Sequence, residues 1–213
     1  MEPPRDEAEL RTRLSRLAGR RLWDIAAEHA VAVVKSKGWV GTLLEKALGA
    51  TGSSRAEPDF PQLGIELKTI PIDERGRPIE SCFVASLEMA RFDLRWETSA
   101  VRKKLERVAW VPVQASIPLE QRRCGAALIW SPSDEERSAL RGDYEDIVDL
   151  LGTGARVTAR TGTWLQLRPK GRDAAHLRWA LDEEGGLART APRAFYLRRT
   201  FTAALLARNF AAP

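Results

Sequence analysis

Apolar positions recur at helical spacing along the first fifty residues. Leu10, Leu14 and Leu17 share a face, an apolar run over 22–34 follows Gly19, and another over 39–48 is closed by Gly49, which predicts three helices. Near residue 63 the period drops to two. Leu63, Ile65 and Leu67 alternate with Gly64, Glu66 and Lys68, predicting a strand over 63–70 with one apolar face and with Glu66 and Lys68 together on its wet face. Further strands are expected over 82–87, 107–112 and 126–130, and the turn residues of Asp73-Glu-Arg-Gly76-Arg-Pro78 are expected to join the first two strands as a hairpin. Thr98 is placed to cap a helix running through Leu105. Ser133 and Glu136 form a capping box for an acidic helix to about Leu151, expected to face away from any polyanion. The last third reads as strands over 156–160, 163–168 and 194–199, then an apolar helix over 202–210. The pattern is α/β, with helices around a mixed sheet.

The strand over 63–70 carries the candidate chemistry. Glu66 and Lys68 project to one side, and Asp59 lies at the strand's approach, where a turn at Glu57-Pro58 is expected to swing its carboxylate back toward Glu66. Two oxygen ligands that leave positions open for water and phosphate suit Mg²⁺, which protein alone rarely cages. This points to metal-assisted cleavage of a phosphodiester. Only seven of the 34 Lys and Arg residues are Lys, so a lysine beside the two carboxylates is informative: an ammonium is compact and can steer or deprotonate a water, whereas a guanidinium stays charged.

Composition narrows the alternatives. With two Cys, Cys82 and Cys124, at no metal-ligand spacing, and two His, His29 and His176, a zinc site or a histidine-based nuclease is excluded. Both Cys are expected as buried thiols and His29 as a packing residue. No apolar run approaches the roughly 20 residues that span a bilayer, and Met-Glu-Pro-Pro-Arg-Asp lacks a signal-peptide core, so a cytoplasmic protein is expected. The net charge of +5 is unevenly spread. Residues 156–213 carry 11 Lys/Arg against four Asp/Glu, a net of +7, while the first 155 carry a net of −2. That asymmetry points to a C-terminal surface that binds a polyanion.

Other residues extend the constellation. Glu45 interrupts the apolar helix over 39–48 one loop before the strand: spacing alone favours an exposed Glu paired with Lys46 or Lys37, and packing of that helix over the strand would make it a third carboxylate. Arg102-Lys103-Lys104 is suited to hold a phosphate. Arg168-Pro169-Lys170-Gly171-Arg172 reads as a protruding loop that presents Arg to a groove, where bidentate contact to guanine is the commonest specific pairing. Phe195-Tyr196-Leu197-Arg198-Arg199 sets aromatics beside two cations, as in a groove-reading strand.

These residues carry a family resemblance. Lys37-Gly-Trp-Val-Gly-Thr-Leu-Leu-Glu45, Asp59 through Pro71, Trp96-Glu-Thr-Ser-Ala-Val-Arg-Lys-Lys104-Leu, Ile117-Pro-Leu-Glu-Gln-Arg-Arg123, Trp130-Ser-Pro132, Gln166-Leu-Arg168-Pro-Lys170, Phe195-Tyr196-Leu and Phe201 through Phe210 all match one pattern. The chain resembles the MutH family, the strand-nicking endonucleases of methyl-directed mismatch repair, over most of its length. Its core is similar to that of restriction endonucleases cutting GATC, within the PD-(D/E)xK nuclease superfamily.

The resemblance implies a restriction-endonuclease-like mixed central sheet flanked by helices in one endonuclease domain. Two lobes, a catalytic one over about 1–120 and a basic DNA-reading one over about 121–213, would form a V-shaped DNA cleft. It implies Mg²⁺ ligation by Asp59 and Glu66, with Glu45 contributing and Leu67 among the metal positions, catalysis aided by Lys68, and an active-site role for Lys104. Arg168, Pro169 and Lys170 would read bases, Tyr196 would sense adenine methylation, and Phe83 and Lys103 would lie near the DNA. The implied target is GATC in double-stranded DNA, nicked 5′ of the G on the unmethylated strand of hemimethylated sites. The implied partner is ATP-bound MutL, acting after MutS meets a mismatch, on a monomer. Departures are few: a family member has His where Lys103 stands and Lys where Arg198 and Arg199 stand. The alternatives from the residues themselves are a GATC-type restriction endonuclease and a catalytically idle DNA-binding repair protein.

Overall fold

A computed structural model of the chain describes residues 1–36, 38–52, 57–87, 94–158, 160–170, 178–181, 187–190 and 192–210, with 178–181 and 187–190 described as backbone. In chain order the elements are α1 (Glu7–Ser15), α2 (Leu22–Glu28), α3 (Trp39–Leu48), β1 (Glu66–Ile72), β2 (Cys82–Ser86), α4 (Ala100–Leu105), β3 (Val108–Gln114) and β4 (Leu128–Trp130). They continue with α5 (Asp134–Gly152), β5 (Leu165–Pro169), β6 (Arg178–Leu181), β7 (Leu187–Thr190), β8 (Arg193–Leu197) and α6 (Arg199–Phe210). The fold is α/β, with small sheets flanked by helices, as the MutH resemblance implies. Contacts divide the chain into two compact units, one of Met1–Glu80, Glu106–Ser131 and Thr202–Pro213, the other of Ser81–Leu105 and Pro132–Phe201.

In the first unit β1 runs parallel to β3, with Glu66 opposite Val108 and Ile72 opposite Gln114, and β3 pairs antiparallel with β4 from Val108 to Trp130. β3 is thus central, and its uninterrupted apolar run Val108–Val113 is buried on both faces. Pro112 is tolerated there because it meets the neighbouring segment through its carbonyl, which accepts the Gly125 N–H at 2.8 Å. On one face Ile65, Leu67, Ala109, Val111 and Val113 join the leucines of α1, α2 and α3 in a single core. Asp6 starts α1 by accepting the Glu9 N–H at 2.8 Å, and Gly49 ends α3 in the left-handed region, where a β-carbon would stand 2.4 Å from the Glu2 carbonyl.

The second unit is built on β2-β8-β5, antiparallel throughout, with β8 in the middle. α5 begins at the predicted capping box and buries Leu140, Tyr144 and Ile147 as one stripe, Tyr144 stacking on Phe195 with ring centroids 5.1 Å apart. The carboxylate of Asp143, 7 % exposed, accepts the backbone N–H groups of Thr163, Trp164 and Leu165 at 2.6, 2.6 and 2.8 Å. That clamp anchors the turn leading into β5. Gly162 in the same turn has a φ of 81°, and a β-carbon on it would stand 2.1 Å from the Leu165 carbonyl, so no other residue fits. β6 and β7 pair antiparallel as a separate two-stranded sheet.

Several expectations need correction. The turn at Asp73–Pro78 forms, with the Asp73 side chain accepting from the Arg75 and Arg77 N–H groups at 2.9 Å, but it returns only as far as an isolated bridge between Ile72 and Pro78. The Ile79 N–H bonds the Pro71 carbonyl at 3.0 Å, but Pro71 has no N–H to return that bond and extend a ladder. β2 pairs with β8 instead, with Phe83 opposite Tyr196, so the hairpin between the first two strands does not exist. That pairing also goes with the grouping of 81–105 and 132–201 in the second unit. The second helix ends at Glu28 rather than near Val34. Ala30 takes a φ of 48° and the Val31 N–H reaches back to the Ala26 carbonyl at 2.9 Å, a Schellman exit before a β-branched run. Ser99, not Thr98, caps α4, its Oγ accepting the Arg102 N–H at 3.0 Å. Residues 156–158 form no strand, because Thr158 and Thr161 bond to each other in a turn. β6 and β7 were not anticipated. Cys124 is buried as expected, but Cys82 on β2 is only half-buried.

Candidate active site and nucleic-acid interface

Asp59 is brought to the strand that carries Glu66 through a device the sequence reading missed. Rather than a turn at Glu57-Pro58, the chain doubles back after Asp59 in a short 3-10 turn, Pro61–Leu63, and Gly64 completes the reversal at a φ of 64°. Phe60 then bridges to Ile65, their backbones exchanging N–H to carbonyl bonds at 2.9 and 3.3 Å. The Asp59 carboxylate is thereby brought onto β1, where its Oδ2 accepts the Leu67 N–H at 2.7 Å. One carboxylate is fixed to the backbone beside the other.

Glu66 and Lys68 share one face of β1, as the alternation predicts, yet that face is not wet. Glu66 is 4 % and Lys68 7 % exposed, and Lys68 Nζ donates to Glu66 Oε1 at 3.1 Å. In the parallel register they lie beside Val108 and Trp110, and Trp110 is fully buried with an indole N–H that has no hydrogen-bond partner among the described residues. A buried ion pair is a poor way to stabilise a protein, since desolvation of both charges offsets their attraction. Its presence at the motif makes the pair a candidate functional site.

Glu45 lies in the last turn of α3, half-buried, and the Glu45 carbonyl accepts the Ala50 N–H at 2.9 Å. Its carboxylate lies back along its own helix, 3.7 Å from where a β-carbon on Gly41 would stand. α3 packs on the face of β1 that carries Leu67, opposite to that of Glu66 and Lys68. Among the described residues no group of three or more His, Cys, Asp and Glu is gathered to hold a metal ion. Lys103 and Lys104 sit on α4, Lys103 exposed and Lys104 half-buried, with Arg102 donating to the Glu97 carbonyl at 3.2 Å.

The residues expected to read DNA converge on the sheet of the second unit. Phe83, Tyr196 and Gln166 stand in register across β2, β8 and β5. The Phe83 and Tyr196 rings meet edge to face at 5.6 Å, the Arg168 guanidinium lies 5.8 Å from the Tyr196 ring centre, and Lys170 Nζ lies 4.9 Å from that of Phe83. Lys170 also donates to Ser86 Oγ at 3.0 Å, and Pro169 is exposed between the two cations. Burial pushes the Tyr196 phenol above its ordinary value, and nearby Arg168 opposes this. Phe83 is 39 % exposed, an unusual place for an aromatic ring that packs on the core. Of the aromatic and basic run over 195–199, Tyr196 lies on this face and Arg198 reaches Gln166 with its Nη1 at 3.4 Å, while Phe195 packs inward on Tyr144. Gly171 and Arg172 of the basic loop, Lys37 and His176 lie outside the described residues. Ser81 and Gln166, which join this cluster by hydrogen bonds, were not given a role by sequence reasoning, since a serine or a glutamine carries no local signal for it; Arg198, read there as a groove-facing cation, bonds to Gln166.

Comparison with known proteins agrees with the geometry. The family model "DNA mismatch repair enzyme MutH" matches residues 48–143. The chain is 48% identical over 217 residues to the DNA mismatch repair protein MutH of Serratia proteamaculans, covering 98% of this chain and 95% of that one. It is 46% identical over 219 residues to the proteins of the same name from Shigella flexneri serotype 5b and Escherichia coli O139:H28, covering 99% of this chain and 96% of each. Likeness of this extent over nearly the whole length, with the motif residues intact in a buried site, shows that the chain belongs to the MutH family of DNA mismatch repair enzymes.

Proposed function

We propose that the protein is the endonuclease of methyl-directed mismatch repair. It nicks the unmethylated strand 5′ of the G in hemimethylated GATC sites, and MutL activates it after MutS meets a mismatch. The observation that carries this reading is the Glu66–Lys68 pair, buried at a spacing of 3.1 Å on the strand whose next backbone N–H holds Asp59.

The donor set fits a hard divalent cation. Asp59 and Glu66 offer oxygen and no His or Cys joins them, and Mg²⁺ is commonly bound through one or two carboxylates together with water and substrate phosphate. Mg²⁺ held by Asp59 and Glu66, with the main-chain oxygen of Leu67 and the carboxylate of Glu45 contributing, would supply Lewis-acid stabilisation of charge at the phosphodiester. The protein's own part is positional. Asp59 is held in place by the Leu67 N–H, and Glu66 holds the ammonium of Lys68 where it orients the attacking water and offsets negative charge building on the phosphate. Water adds to phosphorus, the bond to O3′ breaks, and the proton leaves with the 3′ oxygen, giving 5′-phosphate and 3′-hydroxyl ends. Lys103 and Lys104 bind phosphates, while Arg168, Pro169, Lys170, Phe83 and Tyr196 form the base-reading surface.

Choice of strand needs more than affinity. A methyl group in an apolar pocket changes binding by only about 1–3 kcal/mol, so a methylated adenine must be excluded sterically beside Tyr196. Nicking of unmethylated, hemimethylated and fully methylated GATC plasmids, with and without MutL and ATP, tests the whole reading. The expected result is Mg²⁺-dependent nicking of unmethylated strands, stimulated by MutL, with the fully methylated plasmid resistant. Equal nicking of all three overturns the methyl-directed role, and double-strand cleavage in its place identifies a restriction enzyme.

A further inference from the structure

Three polar side chains with no part in the proposed DNA contacts are linked in series beneath the base-reading surface. Gln166 is 5 % exposed, and its amide is held at both ends: Oε1 accepts from Arg198 Nη1 at 3.4 Å and Nε2 donates to Ser81 Oγ at 3.0 Å. A guanidinium only donates, so Arg198 fixes which end of the amide faces it. The NH₂ end must then face Ser81, and Ser81 Oγ becomes an acceptor. The second donor at that oxygen is Arg168 Nη1, at 3.4 Å. Arg198 is itself immobilised, donating to the Gly162 and Thr161 carbonyls at 3.1 and 3.0 Å, on the turn whose N–H groups are clamped by Asp143. A line of defined donor polarity therefore runs from a rigid turn to the guanidinium that lies against the Tyr196 ring.

We propose that Ser81, oriented through Gln166 by Arg198, is a positioning residue that holds Arg168 ready for base recognition, so that sequence discrimination depends on a hydroxyl that makes no DNA contact of its own. The proposal rests on the reading of Arg168 as a base-contacting residue. A bidentate contact to guanine requires the guanidinium plane to lie in the plane of the base, and an arginine held in advance in few rotamers gives up less freedom on binding than a free one. Ser81 supplies an acceptor for one N–H of the Arg168 guanidinium, and the Tyr196 ring centre lies 5.8 Å from that group.

The test is equilibrium binding of the full chain to two duplexes, one containing GATC and one with the G·C pair replaced, from which a discrimination ratio is taken. Ser81→Ala is expected to lower the ratio about two- to tenfold, the span a single hydrogen bond is worth. Ser81→Thr keeps the ratio, and Ser81→Val, of the same shape without the hydroxyl, loses it. In an Arg168→Ala background Ser81→Ala produces no further fall, because its effect passes through Arg168. A merely structural serine would lower the ratio equally in both backgrounds, which overturns the proposal, as does a wild-type ratio in Ser81→Ala and Ser81→Val. Thermal unfolding of each variant establishes that it is folded. If Arg168→Ala itself leaves the ratio unchanged, the base-reading role of Arg168 fails first and the positioning role falls with it; a normal response to Arg168→Ala with none to Ser81→Val removes the positioning role alone.

Discussion

Lys68 and Glu66 form a pair whose side chains are 7% and 5% exposed, and neither charge has bulk water to fall back on. Removing one partner strands the other, at a cost of about 3–5 kcal/mol, whereas exchanging both for apolar residues of similar volume is near neutral. Lys68→Ala is therefore expected to lose stability as well as turnover. The double variant Glu66→Leu with Lys68→Met is expected to recover the melting temperature but no nicking, with duplex binding by Lys68→Ala preserved; an unaltered melting temperature in Lys68→Ala would show that the pair is not held as a buried unit. The spacing of Asp59, Glu66 and Lys68 was legible in the sequence, since alternation alone puts Glu66 and Lys68 on one side of a strand. Their burial was not, because exposure of a strand face is decided by what packs on it. Cys124 makes the same point from the other side: burial pushes its thiol up to about 12, which keeps it protonated and leaves it a core residue.

Helix ends show how far local sequence governs an element. The capping box of Ser133 and Glu136 forms as written, with bonds of 3.0 and 3.2 Å, because all its parts lie within one turn. The exit of α2 does not follow from apolar spacing, which runs on past Val31. There the backbone puts Ala30 at a φ of 48°, a place usually given to Gly. An L side chain in that region costs about 1–2 kcal/mol, while glycine adds about 0.5–1 kcal/mol of unfolded-state entropy, so Ala30→Gly is expected to stabilise the protein by roughly 0.5–1 kcal/mol. Urea unfolding measures this as a higher midpoint at unchanged slope, and a lower midpoint would mean that the exit is not strained. Strand partners lie further still from local control. The turn at Asp73–Pro78 carries every hairpin signal, and β2 nevertheless takes β8, more than a hundred residues away, as its neighbour.

The molecule as a whole should respond to acid through carboxylates held by arginines. The Arg5 backbone N–H, then the guanidinium groups of Arg13 and Arg5, hold Glu9 down at about 2, against an ordinary value of 4.5. Asp73 is lowered first by the Arg77 N–H and then by its guanidinium, while for Glu7 burial pushes upward but is outweighed by Arg11 and Arg107. Each folded value lies below the unfolded one, so the stabilisation is complete above about pH 4.5 and is lost as pH falls through the folded values. These groups are partly exposed and solvent screens them, so the effect of each is small. The melting temperature is expected to decline below about pH 4.5, with a shallower decline in Glu9→Gln; an identical acid limb in that variant would remove Glu9 from the account. No described helix is long and apolar enough to cross a membrane, in keeping with the absence of any such run in the sequence. By itself the sequence determined the family, the α/β class, the capping box of α5 and the grouping of Glu66 with Lys68, because each rests on residues close together in the chain or on long ordered blocks of identity. Only the tertiary structure decided that the Glu66–Lys68 pair is buried, that the segment 81–105 joins 132–201 in the second unit, and that Ser81, Gln166 and Arg198 meet behind Arg168. Those outcomes depend on which strand lies beside which, and pairing across a long stretch of chain is set by the packing of the whole core rather than by any local pattern.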